Sequence, residues 1–167
     1  TSSIYIYIPD EKLKIYGDLL RIITAQSMEY FSSRPPENKQ TILFCLDEFA
    51  SFGKLQIVES LRKLRKRRIR ILVLTQSVSD VDMIYGKDER KAMLGNFKFT
   101  VILGCKDTET QEYFSKMIGE KRSLLATDPY QKPHPIIKPA DLAHLEQDLF
   151  VICDDGAIRL KKNFYFK

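Results

Sequence analysis

The chain lacks the features that would place it across a membrane, in a disulfide scaffold or around zinc. No apolar run approaches the roughly 20 residues that a membrane helix needs, and the first residues carry no secretory leader pattern. The three cysteines, Cys45, Cys105 and Cys153, stand far apart and share no metal-ligand spacing. Each follows or ends a hydrophobic run, so buried or partly buried free thiols in a reducing compartment are expected. The two histidines, His134 and His144, are too few and too scattered to argue for zinc. No internal repeat or low-complexity tract is present. The glycine-rich loop that cradles a triphosphate and ends in Gly-Lys-Ser/Thr is also missing. Gly53-Lys54 is followed by Leu55 and has no glycine in the right place upstream. Thr1 opens the chain in place of Met, so a piece of a longer protein is expected.

The 167 residues suffice for one domain with a real core. A content of 44% hydrophobic and 29% charged residues fits a soluble globular protein and argues against disorder. The net charge of +5 is unevenly placed, because Arg62 to Arg70 reads Arg-Lys-Leu-Arg-Lys-Arg-Arg-Ile-Arg. Such a run fits an anionic partner: nucleic acid, nucleotide phosphate or an acidic protein face. It fits equally a solvated helix end, where cations complement the dipole.

Along the chain, Ser3 to Ile8 alternates and stops at Pro9, which predicts a strand. Asp10 is placed to cap the following helix, whose apolar residues recur at helical spacing from Leu13 to Phe31. A turn-rich loop at residues 34–38 leads to an apolar run at Ile42–Leu46. After Gly53 the pattern is helical, with Ile57, Leu61 and Leu64 on one face. Ile69–Thr75 is a buried strand ending in Gln76-Ser77. Short helices follow over Val78–Ile84 and from a cap at Asp88 to Gly95-Asn96, with Tyr85-Gly86 as a helix stop. Phe97–Leu103 is a strand. Asp107 or Thr108 caps a helix over Thr110–Ile118, with Thr108 and Gln111 as a capping box. Residues 120–139 form a proline-rich loop, and Ala140–Glu146 a short helix. Leu149–Cys153 and Ala157–Lys161 form a hairpin across Asp154-Asp155-Gly156. This alternation of strands and helices predicts an α/β fold with a largely parallel sheet.

The segment Thr41 to Gly53 is the most informative. Ile42–Leu46 reads as a strand buried on both faces, and Asp47 and Glu48 follow at its C-terminal end, where α/β sheets bind ligands. Nucleoside triphosphatases use this pattern as the Walker B element: the Asp holds Mg²⁺ and the Glu polarises the attacking water. On these residues alone, a strand followed by an acidic turn that caps the next segment fits as well.

The joint spacing decides more. Leu46-Asp47-Glu48-Phe49-Ala50-Ser51-Phe52-Gly53-Lys54-Leu55, a basic helix end, a strand into Gln76-Ser77, and Tyr85-Gly86 together resemble the TraG/TraD family of type IV coupling proteins. The match continues through the strand from Asn96 to Leu103 and Asp107-Thr108-Glu109-Thr110. It covers residues 3–121 well and the rest in outline. The resemblance implies one domain, 1–167, forming the C-terminal part of a RecA-like P-loop ATPase core without its Walker A segment. The implied parent uses ATP and Mg²⁺, with no cofactor expected in the fragment. It is a membrane-anchored homo-hexamer at the cytoplasmic face of the bacterial inner membrane. It moves single-stranded DNA, with its relaxase and relaxosome proteins, to a type IV secretion channel. By the same resemblance Asp47 holds Mg²⁺ through water, Glu48 orients water and Gln76 senses the γ-phosphate. Arg65 is the arginine finger, with Arg67, Arg68 or Arg70 as alternatives for that role and as nucleic-acid contacts. Two other readings stay open: another RecA-like DNA translocase, or a non-catalytic module that recognises relaxosome proteins.

RecA-like strand order adds one expectation. The strand normally lying between Ile69–Thr75 and Phe97–Leu103 is absent, so these two are expected to pair directly or to borrow a neighbour's strand. Either closure would displace Gln76 from Asp47.

Overall fold

The computed structural model describes residues 2–35, 37–121 and 133–165. It divides into two units, one of Thr1–Gln76 with Asp80–Asn96 and one of Ser77–Ser79 with Phe97–Lys167.

The first unit is built on a parallel pair. β1 (Ile42–Leu46) and β2 (Ile69–Val73) run in register from Ile42 beside Ile69 to Leu46 beside Val73. The crossover between them contains a 3₁₀ turn (Phe49–Phe52) and α2 (Ile57–Lys66). The long helix α1 (Asp10–Ser32) packs on both through its buried Thr24 and Met28. α3 (Val78–Tyr85) follows β2, with its first two residues in the second unit, and α4 (Lys87–Leu94) packs on α2. Phe49, Ile57, Leu64 and Met93 are almost fully buried. Alternation along β1 puts Ile42, Phe44 and Leu46 inward and leaves Leu43 and Cys45 on an exposed face beside Arg70 and Leu72. The thiol of Cys45 is therefore exposed, contrary to expectation, whereas Cys105 is buried and Cys153 half-buried.

In the second unit, β3 (Thr100–Ile102), β6 (Asp148–Cys153) and β7 (Gly156–Lys161) form an antiparallel sheet in that order. The β6–β7 hairpin closes on the turn the sequence predicts. One face packs on α5 (Thr108–Ile118) and a 3₁₀ helix (Pro139–His144), burying Ile102, Ile118, Leu142 and Phe150. The other face exposes Phe99, Val101, Leu103, Ile158 and Leu160. β4 (Glu120–Lys121) and β5 (His134–Pro135) pair at the ends of the proline-rich segment. Its residues 122–132 lie outside the described residues, so most of the expected loop goes undescribed.

Several local expectations change. Ser3–Ile8 is not a strand: it has no ladder, and Ile4, Tyr5 and Tyr7 are among the most exposed side chains. A strand is stable only when a neighbour pairs its backbone groups. Pro9 is the N-cap of α1, so Asp10 is its first residue. Gly86 precedes α4 with φ 76°, a conformation that glycine adopts without penalty, and Asp88 lies inside the first turn. Asp107 caps α5, accepting from the Thr110 amide at 2.8 Å. Gln111 donates instead to the carbonyls of Cys105 and Lys106, so the capping box does not form. The strand over 97–103 does not pair with 69–75. Among the described residues no ladder joins β2 to β3, and Ile102 lies opposite Phe150. That register places both side chains in one apolar core, a gain that pairing with β2 would forfeit.

Candidate functional site

The parallel ladder brings the C-terminal ends of β1 and β2 side by side. The ladder extends past β2 through the Leu74 amide, which donates to Leu46 at 3.0 Å, and the Leu74 carbonyl accepts from Phe49 at 2.8 Å. Asp47 and Glu48 lie between these anchors. The chain turns sharply there: Glu48 has φ 49° and ψ 55°, a left-handed conformation that is uncommon for a residue with a Cβ. Its amide donates to Asp47 Oδ1 at 3.0 Å, an interaction that helps hold the turn. Strain of this kind persists where the surrounding bonds over-determine it.

The turn aims Glu48 at the neighbouring strand, where Gln76 Nε2 donates to Glu48 Oε2 at 3.0 Å. Gln76 is therefore not displaced from the acidic pair. Asp47 and Gln76 are exposed and Glu48 is half-buried, so water reaches the cluster. Among the described residues no group of three or more His, Cys, Asp or Glu is close enough to enclose a metal. Two carboxylates in water suit a hydrated Mg²⁺, which keeps several waters and takes one or two protein oxygens.

The arginines stand at the other end of the ladder. Arg65 is exposed in the last turn of α2, and Arg67, Arg68 and Arg70 lie at or just before the start of β2. At the strand rise, the length of β2 alone is roughly 15 Å, so the structure does not bring Arg65 to Asp47 and Glu48 of the same chain. Arg68 has φ 58° and makes the turn into β2. Its amide donates to Arg65, its carbonyl accepts from Ile42, and its guanidinium donates to the Lys39 carbonyl at 3.4 Å. Arg70 projects from the exposed sheet face beside Leu43. Lys63, Lys66 and Arg67 instead line, with Ser32, a shallow cleft of about 460 Å³ where α1 meets α2.

Tyr85 is the residue that sequence reasoning undervalued. α3 does stop at Tyr85, as expected, but Tyr85 is also buried, and its ring stacks on Phe49 at 5.4 Å and 10°. Its hydroxyl donates to the Gly53 carbonyl at 3.2 Å and accepts from the Leu55 amide at 3.1 Å. Burial pushes its pKa up. The helix spacing that puts Tyr85 on the same face as the buried Val81 was the available signal.

The arrangement, parallel strands ending in a carboxylate turn with helices around them, is that of a RecA-like P-loop NTPase core. The plasmid coupling protein TrwB in complex with the GTP analogue GDPNP matches it with a TM-score of 0.80 and 25% identity over 94% of this chain. TrwB in complex with ADP and Mg²⁺ matches with a TM-score of 0.73 and 26% identity over 90% of the chain. The family described as the TraM recognition site of TraD and TraG matches residues 41–147, and the chain belongs to that family of conjugative coupling proteins. Relatives include VirD4 of Agrobacterium fabrum, 23% identical over 99% of the chain, and a probable conjugal transfer protein TraG of Sinorhizobium fredii, 28% identical over 96%. The chain spans 27% and 28% of the lengths of these two relatives and 40% of that TrwB chain.

Proposed function

We propose that this chain is the Walker B portion, residues 1–167, of an ATP-driven coupling protein that passes single-stranded DNA and its relaxase to a type IV secretion channel. The observation that carries this reading is the hydrogen bond between Glu48 and Gln76 at the end of a parallel ladder, with Asp47 adjacent. Asp47 would hold hydrated Mg²⁺, and Glu48 would accept the proton of the attacking water. Gln76, already bonded to Glu48, would register the γ-phosphate. Bound Mg²⁺-ATP supplies the phosphoanhydride and the charge compensation for its cleavage. The glycine loop that cradles the phosphates would come from elsewhere in the longer protein, so the isolated chain is not expected to hydrolyse ATP. Arg65, a strand's length from its own carboxylates, would act instead on a neighbouring copy's nucleotide in a ring of six identical subunits. Arg67, Arg68 and Arg70 would meet DNA phosphates, and the parent would sit at the cytoplasmic face of the inner membrane.

The description of the matching family favours a second role beside the first, recognition of a relaxosome protein of the TraM kind by this same region. The test is ATP hydrolysis by the longer protein that carries the chain. Glu48→Gln should abolish turnover and retain nucleotide, because binding does not need the base. Asp47→Asn should also be inactive while folding normally. Wild-type turnover by Glu48→Gln would overturn the catalytic assignment.

A further inference from the structure

We infer that Tyr85 is a positioning residue for the carboxylate turn: its buried phenol holds the far end of the loop 47–55 and so sets where Glu48 meets Gln76. The inference rests on the ATPase reading above.

The loop leaves β1 at Leu46, passes through the 3₁₀ turn Phe49–Phe52 and reaches α2 at Ile57. Its near end is fixed to the second strand by the Phe49 amide on the Leu74 carbonyl. Its far end passes through Gly53, at φ 65° and ψ −162°, where the Gly53 amide still donates to the Ala50 carbonyl at 3.4 Å as the 3₁₀ turn ends. The Gly53 carbonyl and the Leu55 amide are each met by the Tyr85 hydroxyl, one accepting from it and the other donating to it. Leu55 is almost fully buried, so water does not readily replace the phenol there. Between the two ends, the fully buried Phe49 ring lies against the Tyr85 ring one residue from Glu48.

One side chain therefore touches the loop both beside Glu48 and at its exit. Tyr85 is the last residue of α3, the helix that begins two residues after Gln76. Among the described residues Tyr85 makes no hydrogen bond to Asp47 or Glu48, and it acts through the loop. Orientation to within an ångström can be worth about a hundredfold in rate, so loosening this loop should lower turnover without weakening nucleotide binding.

The experiment compares wild type, Tyr85→Phe and Asp47→Asn in the longer protein that carries the chain. It measures kcat and KM for ATP together with amide hydrogen exchange at Leu55. Tyr85→Phe keeps the stacked ring and removes both hydrogen bonds. The expected result is a kcat lower by about ten- to a hundredfold, a KM within about twofold of wild type, and faster exchange at Leu55. Wild-type kcat in Tyr85→Phe beside an inactive Asp47→Asn overturns the positioning role and leaves the carboxylate assignment standing. A loss confined to KM also overturns it. An active Asp47→Asn overturns both readings. If Tyr85→Phe does not fold, Phe49→Leu, which removes the stacked ring and retains the phenol, must show the same loss confined to kcat, and its absence overturns the inference.

Discussion

Replacing Asp82 by alanine removes half of a buried ion pair. Asp82 on α3 and Arg90 on α4 meet at 2.6 Å between Oδ1 and Nε, with side-chain exposures of 12% and 5%. The pair spans the corner made by Gly86, whose amide donates to the Asp82 carbonyl and whose carbonyl accepts from the Arg90 amide. Asp82 Oδ2 is buried without a hydrogen bond among the described residues, so the pair has already given up hydration that it does not fully recover. Removing one partner of such a pair costs about 3–5 kcal/mol, because the other charge stays buried. At roughly 2–4 °C per kcal/mol for a chain of this size, the Asp82→Ala midpoint should fall by roughly 6–20 °C. Thermal and urea denaturation of the purified chain measure this. The double variant Asp82→Leu with Arg90→Met should lie closer to wild type than either single change, because apolar groups of similar size avoid the desolvation altogether. A loss below about 1 kcal/mol in Asp82→Ala, or strictly additive losses in the cycle, would refute the argument.

Two further outcomes test other parts of the fold and the site. The hydroxyl and amide of Thr110 and the hydroxyl of Ser79 hold the Asp107 carboxyl below its usual pKa. A carboxyl depressed in the folded state stabilises above its unfolded value, and that stabilisation is lost as pH falls through the folded value. Urea denaturation of Asp107→Ala should thus show a cap loss of about 1 kcal/mol at neutral pH and a smaller further loss than wild type below about pH 4. A parallel acid limb in the two proteins would remove Asp107 from that account. For the basic run, converting Arg67, Arg68 and Arg70 to Gln should lower the log–log salt slope of single-stranded DNA binding by the longer protein. The decrease should be about 0.7 for each phosphate that is no longer neutralised, and an unchanged slope returns these residues to a solvated face.

How the elements are spaced was legible from the sequence because it depends on neighbours along the chain. Helical periodicity located α1, α2 and α5, the apolar run Ile42–Leu46 located β1, and Asp154-Asp155-Gly156 located the hairpin. The placement of Asp47 and Glu48 at a strand end is local in the same sense. Tertiary structure decided what depends on distant partners. Ser3–Ile8 has strand alternation but no ladder, and alternation cannot create one. Phe97–Leu103 reads as a strand either way, yet only packing selects β6 over β2, since Ile102 and Phe150 share a core. The bond between Gln76 and Glu48 joins residues 28 apart, and the Tyr85 clamp on Leu55 joins residues 30 apart. At that separation a tyrosine at the end of a helix reads only as apolar spacing. Its hydroxyl gains a role when the fold brings the buried Leu55 amide and the half-buried Gly53 carbonyl against it, because groups withdrawn from water must find partners inside the protein.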